Sequence, residues 1–293
     1  MHSDRRRTLT GLAFVSPWLL GFGLFTLYPI VASFWFSLCD YRVLRPPRFI
    51  GIGNYATLLG DRDFFWRSVG NTAFMFLELP LALALGVGLA VLLNQRVRGM
   101  AWFRAAFYLP AVVPTIATAI LWRWLLNPEY GLVNELAAAA HLPRLGWLTD
   151  TGWSKPSFIL MNLWGVGGGM VIYLAGLQGI PRHLYEAAQL DGASPWQQFR
   201  TVTLPLLSPV LFFQLITGVI GTFQIFTQAL VMTNGGPENS TLFYALYLYQ
   251  NAFQQFRMGE ACAMAWLLFG LTLAATALVF KSSARWVYYE GAK

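Results

Sequence analysis

The sequence predicts an all-α membrane protein with six transmembrane helices, and three observations support this fold class. Apolar residues make up 56% of the chain and charged residues only 11%, against about 25% charged residues in an ordinary soluble domain. The charges lie between uncharged stretches that are each long enough for a bilayer crossing of roughly 20 residues. The net charge of +7 is scattered between apolar runs, which is typical of membrane topology rather than of a nucleic-acid-binding patch. This composition excludes a conventional soluble enzyme and a disordered chain.

Six uncharged stretches define the predicted spans. A seventh stretch, residues 239–256, contains several amides and hydroxyls, so we predict an amphipathic helix at the membrane interface there rather than a crossing. Basic residues precede the first span at Arg5–Arg7 and follow the last at Lys281 and Lys293. Both termini are therefore expected in the cytoplasm, which requires an even number of crossings. The six spans lie near residues 14–37, 72–93, 104–125, 158–177, 208–231 and 262–280.

The long inner loop between the fourth and fifth spans predicts a short helix that projects from the bilayer. Pro181 suits the first turn of a helix, where a missing N–H costs nothing. Residues 184–190 are good helix formers, and Gly192 is a typical stop. Ser194 and Pro195 then form an N-cap and first-turn pair that starts a second helix. From this chemistry alone, a docking helix and an ordinary amphipathic connector are both open.

The spacing within this loop is more specific than its chemistry. Glu186-Ala-Ala, three residues, Gly192, nine residues and Val-x-Leu-Pro205 resemble the cytoplasmic signature of ABC importer permeases, with Val202 in place of the usual Ile. His183 departs from the sugar-importer branch, where an acidic residue is common. Other matching segments span nearly the whole chain: Tyr28-Pro29, Gly53 to Leu58, Asn71-Thr72, Arg104, Leu109-Pro110, Trp164, Leu174 to Gln178 and Thr233 to Pro237.

The resemblance is to the maltose and glycerol-phosphate type of sugar importer, and it implies the type I ABC importer permease fold. Residues 1–66 would form the first helix and an outer loop, residues 67–281 a five-helix transmembrane core with the coupling loop 179–205, and residues 282–293 a cytoplasmic tail. The short helix would be the coupling helix that docks on an ATPase subunit. The residues expected to couple to the ATPase are Tyr185, Glu186, Ala187, Ala188, Asp191, Gly192 and Ala193.

The resemblance also implies a set of partners. These are two cytoplasmic ABC ATPase subunits, an extracytoplasmic solute-binding protein and a second permease. The second permease would have a different sequence, with a second copy of this chain as the alternative. The expected location is the bacterial or archaeal plasma membrane. The implied solute is a sugar or related polyhydroxylated molecule.

The lysines show that this chain lacks a phosphate-binding loop of its own. Such a loop needs Gly-Lys followed by Ser or Thr, but Lys155, Lys281 and Lys293 follow Ser, Phe and Ala. ATP and magnesium are therefore expected on the partner ATPases, with no cofactor in this chain. The three histidines have no spacing that would form a metal site or a nucleophile–base pair, so we predict a transport subunit without catalytic residues.

Several polar residues within the spans are candidates for the solute pathway. Glu78 is an acid well inside a span, where a carboxylate is costly and should face the bundle interior, with Arg123 as a candidate counter-charge. Trp164 could stack on a sugar ring. Helix packing is the alternative role for the amides and for the glycines on the same helix stripes, and for the glycines we favour packing. The pathway candidates are Glu78, Asn162, Trp164, Gln214, Gln224 and Gln228.

Two other functions remain open from the sequence. A stand-alone secondary transporter would need paired ionisable residues within its spans and internal repeats, and one intramembrane Glu without a visible repeat argues against it. A membrane enzyme or assembly factor would need a catalytic cluster, which the sequence lacks.

Cys39 and Cys262 lie near the outer ends of spans, so a disulfide is conceivable, but two unpaired thiols are favoured.

Overall fold

The computed structural model describes residues 2–95 and 97–288, with side chains from Thr10 onward. Arg5–Arg7 and Lys293, used above to orient the termini, fall outside the described side chains. The first half contains α1 (His2–Phe22), α2 (Tyr28–Ser37), β1 (Cys39–Arg42), β2 (Arg45–Phe49), α3 (Gly53–Gly60), α4 (Phe65–Phe74), α5 (Glu78–Leu93), α6 (Met100–Val112), α7 (Thr115–Leu125) and α8 (Leu132–Ala139). The second half contains α9 (Thr151–Trp164), α10 (Gly167–Gln178), α11 (Arg182–Leu190), α12 (Pro195–Gln198), α13 (Leu204–Phe223), α14 (Thr227–Met232), α15 (Tyr244–Tyr249) and α16 (Met258–Ser283).

Several of these helices join into continuous segments through single turns of other helical types. The π-helical turns are Gly23–Leu27, Phe199–Thr203 and Gln250–Gln254, and Met75–Leu77 is a 3₁₀ turn. In the described chain, four continuous segments are long and apolar enough to cross a membrane: Thr10–Ser37, Phe65–Leu93, Pro195–Phe223 and Met258–Ser283. They confirm the first, second and sixth predicted spans and most of the fifth.

The third and fourth predicted spans are each two helices rather than one. α6 and α7 meet at 96°, and α9 and α10 meet at 46°. Val113 precedes Pro114 and is extended, with φ −68° and ψ 131°, because the proline ring disfavours helical geometry at the preceding residue. The prediction of two uninterrupted helices was therefore wrong. The count of six crossings holds when each bent pair is taken as one span.

The fifth predicted span also ends earlier than expected. α13 stops at Phe223, and Gln224 has non-helical angles of φ −102° and ψ 14°. The chain resumes as the short helix α14 at Thr227. Residues 208–231 therefore contain a break that the apolar composition does not reveal.

The described chain forms two compact units. The first comprises residues within 1–61 and 248–269, and the second comprises residues within 62–247 and 270–293. In the first unit, the buried Asn54 amide donates hydrogen bonds to the carbonyls of Ser37 and Cys39, each at 2.8 Å. Cys39 and Cys262 are both free thiols, which confirms the favoured prediction. Burial raises the pKa of the Cys39 thiol.

α10 is the central helix of the second unit, where it packs against α5, α6 and α13. Two glycines make this packing close. A Cβ on Gly86 would lie 2.6 Å from the Tyr173 ring, and one on Gly176 would lie 2.7 Å from Leu207. The predicted packing role of the span glycines is confirmed at Gly176. The buried apolar cluster here comprises Val87, Ala90, Leu93, Met170, Tyr173, Leu174, Leu177, Ile180 and Leu207.

The first half of the segment predicted as an interfacial helix is instead mostly buried in protein. Residues 240–244 are all buried, and α15 covers only Tyr244–Tyr249. Within the second unit, the Asn71 amide donates to the carbonyls of Asn239 at 2.8 Å and Leu242 at 3.1 Å. Two hydroxyls that suggested an interface also bond within the protein, Ser240 to the Ser154 hydroxyl at 2.8 Å and Thr241 to the Gly236 carbonyl at 2.7 Å.

Candidate functional site

The inner loop folds into the helix–turn–helix arrangement that its residues predict. α11 follows Pro181, which occupies the N-cap. Gly192 has a left-handed φ of +77°, which glycine adopts at no steric cost. Its N–H donates to the Gln189 carbonyl at 3.0 Å, and the next N–H bonds to Ala188 at 2.9 Å. These bonds satisfy the carbonyls at the end of α11 and turn the chain sharply.

A reciprocal cap starts the following helix. The Ser194 hydroxyl accepts a hydrogen bond from the Gln197 N–H at 3.4 Å, and the Gln197 side chain accepts one from the Ser194 N–H at 2.7 Å. This is a capping box, which stabilises a helix start by satisfying two otherwise unpaired donors. The strong cap and the preceding glycine together hold α11 at a fixed angle to the segment that leads into α13.

The seven predicted coupling residues lie together on α11 and in the turn that follows it. Glu186, Ala187, Asp191 and Gly192 are exposed, while Ala188 and Ala193 are partly buried. Tyr185 has a different position, because its hydroxyl hydrogen bonds to the Thr203 hydroxyl at 2.9 Å. Tyr185 therefore anchors α11 to the π-helical turn, and the exposed residues form the outer face.

Leu190 belongs to this exposed face, although sequence reasoning did not select it. It is 90% exposed and follows Glu186 by four residues, so the two lie on one side of the helix. The whole of α11 contains no buried residue. Leu190 therefore adds an apolar side chain to the outer face of α11, whose burial by a partner would be favourable.

A second site lies between α5, α9, α10 and α13. A cavity of about 320 Å³ is lined there by Glu78, Asn162, Tyr173, Gln214 and Thr217, together with glycines and aliphatic residues. The Asn162 amide donates to the Glu78 carboxylate at 2.7 Å. The break between α9 and α10 lies at this cavity, which is lined by both Gly165 and Val166.

The remaining polar groups of this cavity come from α10 and α13. The Gln214 side chain is a hydrogen-bond partner of Tyr173, and the Thr217 hydroxyl contacts the Gln214 amide oxygen at 3.4 Å. A Cβ on Gly169 would lie 3.0 Å from the Gln214 nitrogen, so this glycine makes room for the amide. A carboxylate, two amides, a phenol and a hydroxyl can exchange hydrogen bonds with a hydroxylated solute.

The structure brings together three of the six pathway candidates, Glu78, Asn162 and Gln214. Gln224 and Gln228 are not among the residues that line this cavity, because the helix ends at Phe223 and interrupts the predicted stripe. Trp164 packs edge-on against Trp122 at 6.1 Å instead of lining the cavity. Thr217 was missed, although its position three residues after Gln214 places it on the same helix face.

Arg123 is not the counter-charge of Glu78. It lines a separate cavity and donates to the Val231 carbonyl at 3.3 Å. Among the described residues, the ion pairs within 4.0 Å do not include Glu78. Its hydrogen-bond donor is the neutral amide of Asn162, so the hypothesis of an Arg123 pair was wrong.

Comparison with known proteins points to one family. A family model described as "Binding-protein-dependent transport system inner membrane component" matches residues 82–288. The probable ABC transporter permease protein YesP of Bacillus subtilis is 37% identical, over 98% of this chain and 94% of YesP. The trehalose/maltose transport system permease protein MalF of Thermococcus litoralis is 33% identical, over 94% of each chain. The lactose transport system permease protein LacF of Rhizobium radiobacter is 37% identical, over 84% of each chain.

The fold also matches a solved transporter. A chain in the crystal structure of a bacterial ABC transporter involved in the import of the acidic polysaccharide alginate superposes with a TM-score of 0.85. The match covers 97% of this chain and 98% of that one at 24% identity.

Proposed function

The chain belongs to the family of inner-membrane components of binding-protein-dependent transport systems, and on that premise we propose that it translocates a sugar or related polyhydroxylated solute. Relatives named for trehalose/maltose and for lactose transport support the sugar class. The relatives are ABC transporter permeases, so a stand-alone secondary transporter has no support. An extracytoplasmic binding protein would deliver the solute, as the family description implies.

The energy for transport would come from separate ATPase subunits docked on α11. The observation that supports this most is the exposed two-turn helix itself, which is fixed by Gly192 and by the capping box and presents Glu186, Ala187 and Leu190 outward. Ala187 is small and lets a partner approach the backbone closely. ATP and magnesium would bind to those subunits, since the sequence of this chain lacks Gly-Lys-Ser/Thr. The chain itself would not be an enzyme.

The proposed orientation of the chain in the membrane rests on its basic residues. α11 and the basic residues of the inner loops would face the cytoplasm, with both termini on the same side. Two ATPases need two permease surfaces, so a second permease would complete the complex, and the sugar-importer relatives favour one of different sequence.

The solute would pass the cavity that contains Glu78, Asn162 and Gln214. Its carboxylate, amides and hydroxyls offer the donors and acceptors that sugar hydroxyls lose when they leave water. The cavity therefore suits a solute with many hydroxyl groups.

The test combines substitutions in the coupling loop with transport assays on the assembled complex. Glu186→Arg reverses the charge of the docking face, and Gly192→Trp places a bulky side chain on a residue with φ +77°. Both variants should insert normally but lose solute uptake and solute-stimulated ATP hydrolysis. Gly192→Asn is the matched control, because asparagine tolerates the left-handed region, and it should retain most activity. Normal uptake by both Glu186→Arg and Gly192→Trp would overturn the proposal.

A further inference from the structure

A second polar cavity lies beside the first turn of α11 and is distinct from the cavity that contains Glu78. Its volume is about 710 Å³, and it lies among the end of α5, the start of α6, the end of α10 and the start of α11. Two guanidinium groups line it, Arg104 from α6 and Arg182 from α11, while its lining includes no Asp or Glu. The described part of this cavity is therefore cationic.

Both arginines keep N–H groups for another acceptor. Arg104 donates through Nε and Nη2 to the Leu93 carbonyl, at 3.2 and 2.8 Å, which leaves three of its five N–H groups. Arg182 is exposed, and the ion pairs of the described chain do not include it. Arginine presents several N–H groups in a planar fork that matches the geometry of a phosphate group.

The rest of the lining separates into a polar part and an apolar part. The amides of Asn94, Gln95 and Gln178 add donors at the ends of α5 and α10, and all three residues are exposed. Leu177 and Ile180 are buried and form an apolar wall. A ligand that fits this lining has an anionic end and an apolar end.

The position of this cavity along α5 and α10 indicates where such a ligand comes from. α5 and α10 are parts of predicted spans and end at Leu93 and Gln178, so the cavity lies where a membrane-embedded helix emerges into the headgroup region. Phospholipid phosphates are concentrated at that depth. Anionic headgroups attract nearby arginines at about 1 kcal/mol per residue.

We propose that this cavity binds the phosphate group of an anionic phospholipid, with Arg104 and Arg182 on the phosphate and the acyl-glycerol part against Leu177 and Ile180. The proposal rests on the membrane topology given under the proposed function, in which this end of α10 is cytoplasmic. The bound phosphate would link α6 to the first residue of α11. An anionic lipid would thereby restrain the helix proposed to dock the ATPase.

The test measures lipid retention by the full chain alone, so its outcome does not depend on transport or on any ATPase. The purified chain is reconstituted in nanodiscs of phosphatidylcholine with a minor fraction of phosphatidylglycerol. Lipids that remain bound after extraction are then counted by native mass spectrometry. Arg182→Gln should retain about fivefold less phosphatidylglycerol, and Arg182→Lys should retain an intermediate amount.

Arg98→Gln is the matched control, since Arg98 is an exposed arginine of the same inner loop outside the cavity lining. It should retain phosphatidylglycerol as the unchanged chain does. A parallel arm offers inorganic phosphate to the chain in pure phosphatidylcholine and measures binding by calorimetry. Phosphatidylglycerol retention that Arg182→Gln lowers, without phosphate binding in this arm, supports the lipid. Phosphate binding without selective phosphatidylglycerol retention would overturn the proposal. Equal losses in Arg182→Gln and Arg98→Gln, or no selective binding of either ligand, would overturn the proposal.

Discussion

Leu190 offers a quantitative test of docking at α11. Its side chain is 90% exposed in the isolated chain, so nearly all of its apolar surface is available to a partner. Complete burial of a leucine contributes about 1.5–3 kcal/mol. Because each 1.4 kcal/mol is a factor of ten in affinity, Leu190→Ser should weaken the association with the ATPase subunit about ten- to hundredfold.

The substitution should act on association and leave the fold of this chain intact, since little of Leu190 is buried within it. The assay titrates the purified ATPase subunit onto the chain in nanodiscs and compares the two dissociation constants. The coupled measurement is solute-stimulated ATP hydrolysis at a fixed subunit concentration. Hydrolysis should recover when the ATPase subunit is added in excess.

Leu44→Ser is the matched control. Leu44 is 92% exposed in the turn between β1 and β2, on the predicted outer side of the chain. It should leave the ATPase affinity unchanged. An unchanged dissociation constant for Leu190→Ser, or an equal loss for Leu44→Ser, would refute the assignment of α11 as the docking surface.

Three further predictions concern packing and the polar sites of the second unit. A Cβ on Gly167 would clash with the Phe107 carbonyl oxygen, so Gly167→Ala should lower the free energy of unfolding by about 1–3 kcal/mol. Gly88→Ala, at a glycine with open space around it, should not lower it measurably in thermal denaturation. The Asn134 amide is buried and donates to two main-chain carbonyls at 3.2 and 2.9 Å. Asn134→Asp would place a carboxylate against these carbonyls and should destabilise the chain by about 3–5 kcal/mol. An unchanged melting temperature would contradict this contact. Asn162→Leu removes a charge-assisted hydrogen bond worth about 1.5–3 kcal/mol and should reduce uptake of the labelled solute, and undiminished uptake would exclude this side chain from the pathway.

Local chemistry made the coupling loop predictable from the sequence. The glycine at 192 and the Ser194-Pro195 pair act within a few residues of their own positions, so their effect does not depend on distant packing. The spans were predictable for a similar reason, because a long uncharged stretch is a property of composition. The bends within two spans were not anticipated, although Pro114 already disfavours a helical conformation at Val113.

The pathway residues were only partly predictable, because their proximity is tertiary. Glu78 and Asn162 are 84 positions apart and meet through the packing of α5 against α9. The predicted stripe through Gln214 and Gln224 required one continuous helix, and no proline in the sequence marks the helix end at Phe223. The exposure of Leu190 was not predictable from the sequence either, since an isolated leucine in an amphipathic helix is usually a core residue.

The most direct test of the account is a photo-crosslink from the exposed face of α11. A photoreactive amino acid is introduced at Ala187, which is exposed, and the complete transporter is irradiated in native membranes. We predict a covalent adduct with a nucleotide-hydrolysing subunit, formed on the cytoplasmic side. An adduct with extracytoplasmic protein alone, or reaction at this position with a membrane-impermeant reagent added from outside, would contradict the central claim.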